Sequence, residues 1–106
     1  MSTSSDLLAL IQLLRTSEFT LALVGAGLSA SSGIPTFRGE GSSWGGRDIK
    51  SLATRSAFAQ DPLLVWQFYE DRRRRAIDAD PNGGHRALAK LADMKENFLA
   101  ITQNVD

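Results

Sequence analysis

The chain has 106 residues, 42% of them hydrophobic and 23% charged, and its twelve basic and twelve acidic side chains balance to zero. That length allows one small domain, and the balance gives no global field toward nucleic acid or an anionic membrane. Cysteine is absent, which excludes disulfides, a thiol nucleophile and a four-cysteine zinc site within these residues. No apolar run approaches the roughly 18 residues of a membrane span.

The first residues, Met1 to Asp6, lack the basic start of a secretory signal. They also lack the arginine-rich, acid-poor character of a mitochondrial presequence, because Asp6 precedes the first arginine, Arg15. Cytoplasm or nucleus is the default expectation. Ser5 and Asp6 suit the cap of a first helix, and Leu7, Leu10, Ile11 and Leu14 recur at helical spacing, with Leu8 and Leu13 widening the face. That face is expected to pack on a sheet.

Phe19 to Val24 is short, apolar and rich in β-formers, as a buried parallel strand should be. It stops at Gly25, and Gly25, Gly27 and Ala30 fit the dinucleotide pattern G-x-G-x-x-G/A. In that pattern Gly25 permits a tight turn, Gly27 leaves room for a pyrophosphate, and a small residue at 30 lets a helix sit close to the strand. Ser29, Ser31 and Ser32 are expected to cap that helix, whose N–H groups would face an anion. A purely structural glycine turn is the alternative for this stretch taken alone.

Ile34 to Lys50 reads as an extended loop punctuated by Pro35, Gly39, Gly41, Gly45 and Gly46. Its length favours a lid or binding loop, in which Phe37 and Trp44 act either as buried anchors or as covers over a ligand. Ser51 to Gln60 is a short helical piece. Asp61 and Pro62 then start a stronger helix reaching about Ala79, with Leu63, Val65, Trp66 and Phe68 on its apolar side. Asp80-Pro81-Asn82-Gly83-Gly84 ends it. A further helix runs from about His85 to Lys95, and Phe98 to Thr102 forms a second apolar strand ending at Gln103-Asn104, where open α/β sheets gather ligands. His85, the single histidine, sits at a helix start and is expected to cap or pack. Tyr69 and Arg72 share a helix face, and a hydroxyl beside a guanidinium can hold a carboxylate. The competing reading is a solvated side, since the run Arg72 to Arg75 winds around the helix at about 100° per residue.

Two long motifs carry a resemblance. Gly25-Ala-Gly-Leu-Ser-Ala-Ser-Ser-Gly-Ile-Pro-Thr-Phe-Arg-Gly39 resembles the cofactor signature of the sirtuins, the NAD-dependent protein deacylases, and Thr102-Gln103-Asn104-Val105-Asp106 resembles their second signature. The resemblance runs from about Phe19 to Asp106 and covers the N-terminal part of such a catalytic domain. It implies an α/β fold: an incomplete, Rossmann-like parallel sheet with an inserted helical module. Residues 19–38 and 97–106 would form the NAD-binding part, and 39–96 the cofactor loop and helical module. It also implies a structural zinc held by paired cysteines, whose ligands are not in this chain, and a general-base histidine beyond Asp106.

In the family the acyl-lysine carbonyl oxygen attacks the ribose carbon that nicotinamide leaves, and the acyl group passes to ADP-ribose. By resemblance the cofactor would be held by Gly25, Ala26, Gly27, Ser29, Pro35, Thr36, Phe37, Arg38, Trp44, Gln103, Asn104, Val105 and Asp106, with Ser32 a weaker candidate. Gln103 and Asn104 would also contact the reacting ribose. Trp66-Gln67-Phe68-Tyr69-x-x-Arg72 is similar to the Tyr-x-x-Arg motif of the class III branch, removers of succinyl, malonyl and glutaryl groups. There Tyr69 and Arg72 would hold the acyl carboxylate, and Ala53, with Thr54, would enlarge the acyl pocket. The implied partners are acyl-lysine proteins, not nucleic acid or membrane. A mitochondrial site is compatible with the resemblance, though no presequence is evident. Residues 1–106 alone are expected neither to catalyse deacylation nor to fold as a cooperative monomer. Two other readings stand beside this one: a non-catalytic remnant, and a Rossmann dehydrogenase domain in which Asp48 would take the acidic position beyond the glycines.

Overall fold

The computed structural model describes residues 3–37 and 42–106. Helix α1 spans Thr3–Thr16, strand β1 Thr20–Val24 and the one-turn helix α2 Gly27–Ala30. A hairpin of β2 (Ser43–Trp44) and β3 (Arg47–Asp48) follows, then α3 (Ile49–Leu52), α4 (Arg55–Gln60), α5 (Pro62–Asp78), α6 (Gly83–Met94) and β4 (Phe98–Thr102). β1 and β4 pair in parallel, from Thr20 opposite Phe98 to Val24 opposite Thr102. Backbone bonds extend the ladder at both ends, Thr20 N to Asn97 O (2.9 Å) and Gln103 N to Val24 O (3.0 Å). A parallel pair needs a crossover, and here the crossover is the whole helical module. The fold is the expected one: a Rossmann-like parallel sheet interrupted by inserted helices.

Residues expected as one extended loop contain regular structure. Gly45 and Gly46, both at positive φ (58° and 76°), make the two-residue turn that joins β2 to β3, since only glycine takes such angles without a Cβ clash. The single helical piece expected over Ser51 to Gln60 is two helices. Asp48 caps α3 by accepting from Lys50 N (3.0 Å), and Thr54 caps α4 by accepting from Ala57 N (3.0 Å). Asp61 caps α5 as the sequence requires, accepting from Leu64 N at 3.2 Å, with Pro62 in the first turn.

The core lies in the module. Ile49, Leu52, Val65 and Phe68 are its buried apolar side chains, and Phe68 has no exposed surface. Trp44, Phe37 and Tyr69 meet Phe68 edge-to-face, with ring centroids 5.5, 6.5 and 5.0 Å away, a geometry that aromatic quadrupoles favour. The apolar side of α5 is therefore Val65 and Phe68 with half-buried Leu64, whereas Leu63 and Trp66, expected on that side, are exposed. At about 100° per residue the helix turns residues 63 and 66 roughly 100–160° away from 65 and 68.

α1 corrects a second expectation. It begins before Ser5 and Asp6, so these residues lie inside the helix, and its apolar face does not settle on the sheet. Leu7, Leu8, Leu10, Ile11 and Leu13 are all exposed. Its end is tied down by polar contacts: Lys95 Nζ donates to Leu14 O (2.6 Å) and Ser17 O (3.1 Å). The sheet is also open, with Leu21, Leu23, Leu99 and Ile101 facing solvent. The radius of gyration, 18.0 Å, exceeds the ~13 Å of a compact domain of this length.

Candidate functional site

The parallel pairing of β1 and β4 places their carboxyl ends side by side, so Gly25 and Gln103 leave the sheet together. The two sequence signatures, far apart in the chain, meet there. Asn104 joins them directly: its side-chain amide donates to Gly25 O at 2.9 Å, while its own N–H donates to Thr102 Oγ1 at 2.9 Å. A cavity of about 760 Å³ opens over this junction. Gly25, Ala26, Gly27, Ser29, Pro35, Thr36, Phe37, Gln103, Asn104, Val105 and Asp106 line it, together with Tyr69 and Arg72. Arg38 lies outside the described residues.

The glycine turn differs from expectation in how it is held. No serine caps α2: its N-cap is Ala26, without a side-chain hydrogen bond. The N–H groups of Leu28 and Ser29 close the turn on Gly25 O (3.1 Å) and Ala26 O (3.2 Å), so those two do not point at an anion. Ser29 is buried. Neither Gly25 nor Gly27 needs positive φ, and a Cβ built on either would meet no protein atom within 4 Å. Packing within the chain therefore does not require glycine at these positions. What their missing Cβ atoms leave is open floor in the cavity, the cradle a pyrophosphate needs.

The helical module supports this turn through Asn82, a residue of neither signature. Its side-chain amide donates to Leu28 O (2.7 Å) and Ser32 Oγ (3.0 Å) on the far side of α2. Its Oδ1 accepts from Gly84 N (2.8 Å) and His85 N (3.4 Å), and Asn82 N donates to His85 Nδ1 (3.1 Å), a capping box at the start of α6. His85 thus caps, as expected. The signal was present as Asn82 three residues before His85, but its second use, on α2, is a tertiary contact.

A second cavity, about 910 Å³, adjoins the first and is lined by Ser43, Trp44, Ile49, Phe68, Asp71 and Arg75. Phe37, Tyr69, Arg72, Val105 and Asp106 line both. Trp44 is at once anchor and wall, because its indole N–H donates to Asp71 Oδ2 (3.2 Å) while the ring abuts Phe68. Ala53 is not brought to either cavity. It lines a third, with Thr54, Phe58, Trp66 and Tyr69.

The four arginines of α5 divide as the helix turns. Arg73 and Arg74 reach Glu70 (3.7 and 3.3 Å), and Arg75 reaches Asp71 (3.3 Å), all largely exposed. Arg72 points the other way, half-buried. Its guanidinium carbon sits 4.0 Å from the Phe37 ring centroid and 5.5 Å from those of Phe68 and Tyr69. Phe37 adopts φ 64°, left-handed backbone that costs about 1–3 kcal/mol in a bulky residue and persists only where surroundings hold it. Asp48, which a dehydrogenase reading would place on a ribose, ends a hairpin strand and caps α3. Among the described residues no set of His, Asp or Glu side chains could hold a metal ion, and no helix is long and apolar enough to cross a membrane.

Comparison with known proteins agrees with this arrangement. The Sir2 family pattern matches residues 25–106. An NAD-dependent protein deacylase of Thermococcus kodakarensis is 50% identical over 95 residues, covering 90% of this chain and 37% of the relative. One from Candida albicans is 56% identical over 88 residues, covering 81% and 29%. Among solved structures, a Sir2 homologue mutant in complex with 2'-O-acetyl ADP ribose superposes with TM-score 0.87 at 40% identity, covering 100% of this chain and 41% of that one. A Sir2 homologue–NAD complex gives 0.84 at 42% identity, covering 92% and 38%. The chain thus spans less than half the length of these relatives.

Proposed function

The chain belongs to the Sir2 family, and from that premise we propose that it supplies the cofactor and acyl sites of an NAD-dependent protein-lysine deacylase, one that prefers acyl groups ending in a carboxylate. The observation that carries the reading is the meeting of both strand ends, Tyr69 and Arg72 around one cavity. The residues fit the cofactor: open floor at Gly25 and Gly27 for the pyrophosphate, and Asn104 fixed against Gly25 O so that its neighbours hold a set position.

NAD, when bound, supplies a ribose carbon made electrophilic by departure of nicotinamide. The chain's residues do the rest of what is assigned here. Val105 and Asp106 hold the nicotinamide amide, and Gln103 and Asn104 orient the ribose. Phe37, braced over the cavity, keeps water from the reactive carbon, and Pro35 and Thr36 fix the strand of loop that carries it. The general-base histidine and the zinc implied by the family have no counterpart among the described residues.

Arg72 supports the acyl preference. It is the member of the arginine run with no carboxylate partner among the described residues, and its N–H edges are open to a ligand. A planar guanidinium can take a carboxylate bidentately while Tyr69 adds a hydroxyl. Ala53 lies outside this pocket, so pocket enlargement at that position forms no part of the proposal. The test measures nicotinamide release from NAD by the full-length protein with succinyl-lysine and acetyl-lysine peptides of one sequence. Faster release with the succinyl peptide is expected. Equal rates would remove the carboxylate preference, and hydride transfer without nicotinamide release would remove the deacylase reading altogether.

A further inference from the structure

Phe37 and Arg72 stand in the wall that the two large cavities share. Phe37 comes from the cofactor loop and holds a backbone angle that its own side chain disfavours. Its nearest support is the Arg72 guanidinium 4.0 Å above the ring, with the Phe68 ring 6.5 Å away at an edge-on angle of 71°. Glu70 and Asp71 pair with Arg73, Arg74 and Arg75, and Arg72 is the one of the four with no carboxylate partner among the described residues. Its Cζ lies over the aromatic ring, and among the described residues its N–H groups donate to no protein acceptor and remain for another ligand. Face and edge are separate surfaces of one group, so both can be occupied together.

We infer that Arg72 is a positioning residue for Phe37, through which occupation of the acyl pocket by a carboxylate and closure of Phe37 over the NAD ribose reinforce each other. The coupling half rests on the proposed reading of Arg72 as the acyl-carboxylate site; the positioning half does not. A carboxylate on the guanidinium edge fixes its plane. A fixed plane gives the Phe37 ring a platform already ordered, so the nucleotide meets a loop that has lost less freedom on binding. The effect is reciprocal: nucleotide that settles Phe37 also settles Arg72 for the acyl chain. An acetyl group, with no carboxylate, does not engage this link.

The experiment uses the full-length protein, its R72K and R72Q variants, and two probes: ADP-ribose, and ADP, which lacks the ribose that Phe37 would cover. Without peptide, R72Q is expected to bind ADP-ribose about fivefold more weakly, the factor a half-exposed cation–π contact supplies, and R72K to fall between it and the wild type. ADP affinity is expected to stay unchanged. R72K is the conservative control, since its ammonium keeps the charge and loses the flat face. In the wild type a succinyl-lysine peptide tightens ADP-ribose binding severalfold, and an acetyl-lysine peptide does not.

Unchanged ADP-ribose affinity in both variants overturns the positioning role. So does an equal loss for ADP, which would mark general damage to the site. Wild-type affinity that ignores the succinyl peptide overturns the coupling. Peptide binding without nucleotide reports on the acyl reading separately. A succinyl preference abolished in R72Q, with ADP-ribose binding intact, sinks this inference and leaves the acyl reading. The reverse pattern sinks the acyl reading and the coupling with it, and leaves Arg72 as the support of Phe37.

Discussion

The helical module and the parallel sheet bury their apolar side chains to very different degrees. In the module, Phe68 is fully enclosed and Ile49, Leu52 and Val65 nearly so, with Trp44 and Phe37 packed against the cluster of Ile49, Leu52 and Phe68. In the sheet, Leu21, Leu23, Leu99 and Ile101 are each between 44% and 64% exposed. Yet the sheet, with the least covered surface, fixes the relative position of the two signatures, and it does so by backbone ladder and the Asn104–Gly25 bond. The module contributes side chains that reach into the cavity from one rigid helix. The lesson is that order at the site comes from two sources: hydrogen bonds on one wall and aromatic packing on the other.

The largest break in this comparison is Phe68→Ala. It empties the centre of the module and is expected to cost about 3–5 kcal/mol, read as a lowered denaturant midpoint in the full-length protein. A cost under about 1 kcal/mol would mean the module has no core of its own. Gly27→Ala probes the other wall. With no protein atom within 4 Å of the added methyl, thermal stability should hold or rise slightly. NAD affinity should fall about tenfold through the clash of an overfilled site. Calorimetric titration separates the two, and a matched fall in both would show that the glycine serves the fold instead.

Asn82→Ala tests the brace between the regions. Losing the α6 cap and the bonds to Leu28 O and Ser32 Oγ should cost about 1–2 kcal/mol. It should also speed amide exchange around α2. Exchange unchanged at Leu28 and Ser29 would separate Asn82 from the glycine turn. Glu70→Ala is the smallest change. Its pairs with Arg73 and Arg74 are exposed, so stability should move by no more than about 0.5 kcal/mol. A larger loss would mean the pair network orders α5 and, with it, Arg72.

Much of the site was legible because its motifs are local. Gly25 to Phe37 and Gln103 to Asp106 depend on residue type at fixed spacing, and both fall in one cavity. Asp61 with Pro62, and Asn82 with His85, mark helix starts by rules that act within one turn. The hairpin at Trp44-Gly45-Gly46-Arg47 was missed as a hairpin although its glycine pair is a turn signal, because two-residue strands carry no alternating pattern. Serine capping of α2 failed for a different reason: Ser29 lies inside the one-turn helix and Ser31 and Ser32 follow it, so none stands at its start.

The sequence by itself determined the parallel strands and which residue types gather at their ends, because apolar periodicity and glycine spacing act over a few residues, while the family was legible only through the resemblance of its two long motifs. It left undecided which of four consecutive arginines turns inward, which side chain Phe37 meets, whether Ala53 shares a pocket with Arg72, and whether α1 finds a surface to cover. The tertiary structure decided these, placing the Arg72 guanidinium carbon 4.0 Å from the Phe37 ring centroid, Ala53 in a separate cavity and the leucines of α1 in the open. The physical reason is that each depends on where one element's face meets another's. That is set by packing around Phe68 and by the register of β1 on β4, contacts between residues remote in the chain.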